Sequence, residues 1–236
     1  MVQQSKPVAV IAGGGPGNGA ALARRFAGAG YAIVILSRHR ATLAPLQAEF
    51  PEGWTFECDV GDQTSVEETF ARIHREVGDV EVLLYNAGSG VFGDVENITF
   101  DQFEQAWRVN AYGALLCSRQ VMPSMTKKGA GAIIFIGATA SRRGGIKSAA
   151  FAPAKAAQRS LAESMARKLW PQGIHVALII VDGVVDLPRT RTAMPDKPVE
   201  AFVTPAGVAE IAYQLSVQDK QAWSFEVEAR PFGETW

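Results

Sequence analysis

Short runs of aliphatic and β-branched residues alternate along the chain with longer, alanine-rich segments. Val8 to Ile11, Ala32 to Leu36, Trp54 to Glu57, Val82 to Tyr85, Ile133 to Ile136, Val176 to Val181 and Phe225 to Val227 read as strands, most of them apolar throughout rather than at every second residue. A strand without a polar face must be covered on both sides, which is the condition of a parallel sheet between two helical layers. Asn18 to Ala29, Ala41 to Phe50, Ser65 to Val77, Asp101 to Met125, Ala149 to Trp170 and Pro205 to Val217 have the length to supply those crossovers. The strand-then-helix order never breaks, no internal repeat is visible, and no Ser/Gly/Pro-rich linker divides the chain. The pattern therefore predicts an α/β fold, a doubly wound parallel sheet of about seven strands in a single domain over residues 1–236. One interval departs from it. Between Gly183 and Thr204 the chain carries Pro188, Pro195 and Pro198 among charges of both signs, which predicts a substrate lid at residues 184–204.

Composition narrows the choices. With 47% hydrophobic residues the chain can bury a sizeable core, and 23 Lys+Arg against 24 Asp+Glu give no general attraction to nucleic acid or to a membrane surface. The longest uncharged stretch, Pro7 to Ala23, is rich in glycine and shorter than the roughly 20 residues that cross a bilayer. No basic secretory leader precedes it, so the expectation is a cytoplasmic protein without a spanning segment. Cys58 and Cys117 lie far apart in apolar segments and suit buried, reduced thiols. His39, His74 and His175 show no metal-ligand spacing, and no metal is expected.

The sharpest local signal is Ala12-Gly13-Gly14-Gly15-Pro16-Gly17-Asn18-Gly19, between the first strand and the first helix. A phosphate needs backbone N–H groups at close range and a helix N-terminus aimed at it, and glycine permits that approach. The spacing is Gly-x-x-x-Gly-x-Gly through Gly13, Gly17 and Gly19, with Asn18 inside the turn. The second strand ends in Leu36-Ser37-Arg38, with no acid to accept hydrogen bonds from an unmodified ribose. Arg38, assisted by the Ser37 hydroxyl, instead favours a 2′-phosphate, and so NADP over NAD. Asp59-Val60 and Asn86-Ala87-Gly88 close the third and fourth strands on the carboxyl edge, where a dinucleotide would lie.

Together with Asn110, these motifs resemble the short-chain dehydrogenase/reductase family, and the resemblance covers essentially the whole chain. It implies a Rossmann-type fold, an NAD or NADP cofactor, a small-molecule substrate, and a homodimer or homotetramer built through long helices. By the same resemblance Gly13, Gly17 and Gly19 would hold the pyrophosphate, Asp59 and Val60 the adenine, and Asn86, Ala87 and Gly88 the adjacent ribose side. Gly183 and Val185, after the sixth strand, would offer backbone to the carboxamide.

The catalytic positions depart from that family. Its usual Tyr-x-x-x-Lys is here Phe151-Ala152-Pro153-Ala154-Lys155, and the serine expected thirteen residues before the tyrosine is Ala138. Of the usual four groups, Asn110 and Lys155 remain; the pattern is similar to a subgroup with Phe for Tyr and the lysine kept. A phenol would donate the proton as hydride arrives and a hydroxyl would hold the oxyanion, effects of roughly 10²–10⁴-fold and 10²–10³-fold that a benzyl ring and a methyl group cannot supply. Lys155 could still bind the nicotinamide ribose or act through water, and a substrate needing no strong acid, an activated double bond or an iminium, stays open. Thr139, Ser141, Tyr85 and Tyr112 are weaker candidates for a replacement acid, and Asp182 is an unexpected acid beside a cofactor. Two functions are therefore expected to compete: an NADP-dependent oxidoreductase with an atypical site, and a catalytically silent NADP-binding or subunit-partner protein.

Overall fold

The computed structural model describes residues 6–233. Seven strands form one sheet in the order β3-β2-β1-β4-β5-β6-β9, every pairing parallel. They are β1 Val8–Ala12, β2 Ala32–Ser37, β3 Trp54–Glu57, β4 Val80–Tyr85, β5 Gly131–Ile136, β6 Ile174–Val181 and β9 Glu226–Ala229. The main connections are α1 Asn18–Gly28, α2 Arg40–Glu49, α3 Gln63–Glu76, α4 Phe100–Trp107 with α5 Gly113–Lys128, α6 Phe151–Leu169 and α8 Pro205–Ser216. Successive strand residues enter opposite cores. Val8, Val10, Leu83 and Tyr85 belong to one, while Ala9, Ile11, Val82 and Leu84 belong to the other. This two-sided burial is why the strands lack polar alternation.

Strand order reverses between β1 and β4, so the connections leaving those strands run to opposite sides and open a crevice at their carboxyl ends. The anticipated lid falls beside it and has structure of its own. β7 Val184–Val185 pairs with β8 Phe202–Val203 in a separate parallel pair, with the six-residue helix α7 Pro188–Ala193 between them. Among the described residues no helix is long and apolar enough to cross a membrane.

The continuous helix expected from Asp101 to Met125 is broken. A capping box starts α4: the Thr99 hydroxyl accepts from Gln102 N at 3.2 Å, and Gln102 Oε1 accepts from Thr99 N at 3.0 Å. A π-helical turn at Arg108–Tyr112 then precedes α5. Its cause is steric and polar: buried Tyr85 donates its hydroxyl to the Val109 carbonyl, and Gly113 packs against the same phenol oxygen and the Val60 carbonyl. The widened turn leaves Asn110 fully buried, its amide donating to Ala106 O at 2.8 Å.

The sheet ends at β9, shifted by a residue or two from the Phe225–Val227 expected. Glu226 meets Arg142 at 2.8 Å and Arg159 at 2.5 Å, and Glu228 pairs with Arg142 and Arg230. The nearby aromatics are packing: the His175 and Trp223 rings stack at 4.7 Å.

Gly113→Ala tests the break. An added Cβ would lie 2.5 Å from both Tyr85 Oη and Val60 O. Urea unfolding should show a loss of about 1–3 kcal/mol. Gly28→Ala, where nothing lies within 4 Å, should be neutral or stabilising in the same assay.

Candidate active site

The crevice is a cavity of about 740 Å³ between the glycine turn, the ends of β2, β4 and β5, and the lid. Such a volume suits an organic cofactor with a small substrate. The turn is tied from both sides. Gly13 N and Gly14 N donate to Leu36 O at 3.0 and 2.7 Å, and Asn86 Nδ2 donates to Gly13 O at 2.8 Å. Gly13 has φ +104°, and a Cβ there would sit 2.4 Å from Ala87 N, so the two strand ends meet backbone to backbone. Gly15 faces open space, and the buried Asn18 Oδ1 has no hydrogen-bond partner among the described residues. The open space over Gly15 and α1 starting at Asn18 fit the diphosphate of a dinucleotide, whereas Asn18 Oδ1, an acceptor, calls for a donor on the ligand.

Most residues expected at a cofactor border this cavity: Gly13, Gly17, Asn18, Gly19, Ser37, Arg38, Val60, Asn86, Ala87, Gly88, Gly183 and Val185. Ala138 and Phe151, the substituted catalytic positions, border it too. Asp59, Asn110 and Lys155 do not. The Asp59 carboxylate instead accepts from Gly61 N at 2.9 Å and shapes the turn after β3.

Lys155 lies beneath the cavity floor. It is 4% exposed, and Nζ donates to Ile136 O at 2.9 Å and to Gln158 Oε1 at 3.1 Å. Gln158 Nε2 in turn donates to Asn110 O at 2.8 Å, so one fully buried carboxamide links the two retained groups. Gly88 is the thin wall above them: a Cβ there would lie 3.4 Å from Asn110 Oδ1, which lacks a partner, and 3.9 Å from Lys155 Nζ. Burial lowers the Lys155 pKa from its ordinary 10.5 to about 7. A neutral amine still has two hydrogens, enough for both acceptors.

Above that floor the wall is apolar. Phe92 and Phe151 meet with ring centroids 5.3 Å apart, and Ile136, Ala138, Val184 and Met194 complete the surface. The candidate replacement hydroxyls do not line the cavity. Thr139 donates to Asp182 Oδ1 at 2.5 Å, and Ser141 Oγ accepts from Ala138 N at 3.1 Å. Tyr85 is buried on the Val109 carbonyl, burial holding its pKa well above the ordinary value, and Tyr112 reaches Gln63 at 3.4 Å.

Asp182 sits in a cluster of cations. Besides Thr139 it is bound by Arg230, with Arg143 at 3.7 Å. Burial alone would raise its pKa, but the Thr139 hydroxyl and the two guanidiniums outweigh it and keep the group a carboxylate. It braces the end of β6 and does not border the cavity. The sequence reading missed Gln158 and Phe92. Gln158 had a signal, a lone amide three residues past Lys155 on a helix face otherwise small and apolar; Phe92, on a loop, had none. No cluster of three metal-ligating side chains occurs among the described residues.

The sequence profile of the family described as short chain dehydrogenase matches residues 7–198. The chain is 30% identical over 218 residues to the 3-oxoacyl-[acyl-carrier-protein] reductase MabA of Mycobacterium tuberculosis, covering 89% of this chain and 85% of that protein. A short-chain dehydrogenase from Rhodopseudomonas palustris superposes with a TM-score of 0.79 at 34% identity, covering 95% of this chain and 99% of the other. A metagenomic short-chain oxidoreductase crystallised with NADP superposes at 0.85 and 25% identity, covering 98% and 99%.

The buried amine predicts a pH dependence. An unfolded lysine holds its proton up to about 10.5 and the folded one releases it near 7, so between these values the unfolded chain binds more protons. Stability of the ligand-free protein should therefore rise from pH 7 to 10, and Lys155→Met should flatten the rise. Equal slopes for the two proteins in denaturant titrations would contradict a buried, deprotonating Lys155.

Proposed function

This chain belongs to the short-chain dehydrogenase family, and on that premise we propose that it is an NADP-dependent oxidoreductase whose substrate needs no proton from the enzyme. The observation that carries the reading is the reacting end of the cavity, where Phe151 and Ala138 border the space and, among the described residues, none of Thr139, Ser141, Tyr85 and Tyr112 does. Gly13, Gly17, Asn18 and Gly19 would hold the diphosphate and Ser37 with Arg38 the phosphorylated ribose; the metagenomic relative crystallised with NADP lends support. Bound there in reduced form, the cofactor supplies a hydride. Val184, Val185 and Gly183 would flank the nicotinamide, and the aromatic pair would exclude water from the acceptor carbon.

A ketone acquiring hydride becomes an alkoxide, which this wall cannot stabilise. An iminium acquiring hydride becomes a neutral amine and asks for no proton, while the ring faces of Phe92 and Phe151 favour its initial positive charge. An activated double bond passes its charge to a remote group that solvent can protonate. Either class suits these residues better than alcohol–ketone interconversion. Lys155 and Asn110 then organise the cavity floor from below, joined by Gln158.

The sealed position of Lys155 favours a second reading, a dinucleotide-binding subunit without turnover. Self-association is part of both. Phe100, Phe103 and Trp107 lie exposed at one-turn spacing along α4, which suits a homo-oligomeric contact through that helix.

Titration with NADPH and NADH should give NADPH the tighter binding by at least about tenfold, or roughly 1.4 kcal/mol. Wild type should then oxidise NADPH with cyclic iminium compounds or activated alkenes and barely with simple ketones. Phe151→Tyr with Ala138→Ser should raise ketone reduction by roughly 10²-fold or more without raising the iminium rate. A wild type inert toward every acceptor, with a double variant that reduces ketones, would establish the silent reading instead.

A further inference from the structure

The lid carries two arginines within one helical turn, and only one is used by the fold. Arg191 grips Asp186 with two hydrogen bonds, 2.6 and 2.9 Å long, and its guanidinium lies 4.3 Å from the centre of the Phe202 ring. Arg189 is exposed and has neither an ion pair nor a hydrogen bond among the described residues, yet it borders the cavity that contains the glycine turn. Its helix is fixed in place. The Thr190 hydroxyl donates to Val185 O at 2.6 Å and accepts from Leu187 N at 2.9 Å. Leu187 rests on the turn itself, since a Cβ on Gly17 would come within 2.4 Å of its Cδ2. Arg189 follows two residues later, so it projects from an anchored segment at the edge of the phosphate cradle.

Charge points the same way. Among the described residues no carboxylate borders the cavity and its two arginines, Arg38 and Arg189, are unpaired, whereas Arg24, Arg25, Arg142 and Arg159 hold carboxylates. Two unneutralised guanidiniums facing one cavity repel each other unless an anion enters it. The open space over Gly15 and the start of α1 mark where an anion would sit against the turn.

We propose that Arg189 is a phosphate-binding residue, closing over the dinucleotide's diphosphate from the lid while the glycine turn holds it from below. The inference rests on the dinucleotide-binding reading above and divides the work between two cations. Arg38 reads the 2′-phosphate that distinguishes NADP from NAD; Arg189 takes the diphosphate that both share.

Calorimetric titration of the full chain with NADPH and with NADH, at two salt concentrations, tests this division. Arg189→Met should weaken both dinucleotides by the same factor, about tenfold, and reduce the salt sensitivity of both. Arg38→Met should weaken NADPH alone. Arg189→Lys should recover part of the loss, because it keeps the charge but not the two-pronged hydrogen bond. Unchanged affinity for both dinucleotides in Arg189→Met would overturn the proposal, as would a loss confined to NADPH, which would place Arg189 at the 2′-phosphate. Binding of neither dinucleotide by wild type would overturn the underlying functional reading along with it.

Discussion

The backbone contact between Gly13 and Ala87 is the constraint on which the rest of the site depends. The order of a parallel sheet must reverse somewhere if both faces are to be covered, and here it reverses between β1 and β4. At that point the chain leaving β1 crosses the end of β4 with no room for a Cβ. Leu36 O and the Asn86 side chain then hold the turn from the two neighbouring strands. α1 starts at Asn18, a few residues beyond that close approach, so its N-terminus opens beside the crevice.

On the other side of the crevice the chemistry has been redistributed. The wall of Phe92, Phe151 and Ala138 is apolar, while Lys155 and Asn110 lie one layer down, behind Gly88. Gln158 ties that layer together by accepting from Lys155 and donating to the Asn110 backbone carbonyl, while Asn110 Oδ1 has no partner among the described residues. A buried amine with two acceptors and no carboxylate beside it loses its proton readily. With a pKa of about 7 the amine carries only part of a charge at neutral pH, less than an ordinary lysine would place beneath the site.

The sequence made the fold legible because apolar runs with no polar face admit few arrangements other than a covered parallel sheet. The glycine turn, Arg38, Val60 and Asn86 to Gly88 border the cavity as their spacing along each β-α unit implies, whereas Asp59 turns to Gly61 N instead. The break before α5 was hidden: Arg108 to Tyr112 has no proline and no unusual composition, and the turn widens because Tyr85, on a distant strand, demands the Val109 carbonyl. The withdrawal of Lys155 was hidden for the same reason. Periodicity put it on the face of Phe151, but only the tertiary positions of Ile136 and Gln158 decide where the ammonium ends. Asp182 could not be explained until Thr139 and Arg230, far apart in sequence, were seen to meet it.

That meeting links the site to the order in which the chain is made. Asp182 follows β6 and is nearly buried, but Arg230, which neutralises it, lies beyond β9, the last strand added to the sheet. Thr139 and Arg143 precede Asp182 in the chain and can meet it as soon as β5 and β6 pair, whereas the nearer cation, Arg230, arrives only when β9 docks beside β6. The docking of β9 therefore adds a guanidinium to a nearly buried carboxylate, and removing one partner from such a pair is costly. The end of β6, from which residues 184–204 depart, thus draws part of its stability from a residue 48 positions further along the chain.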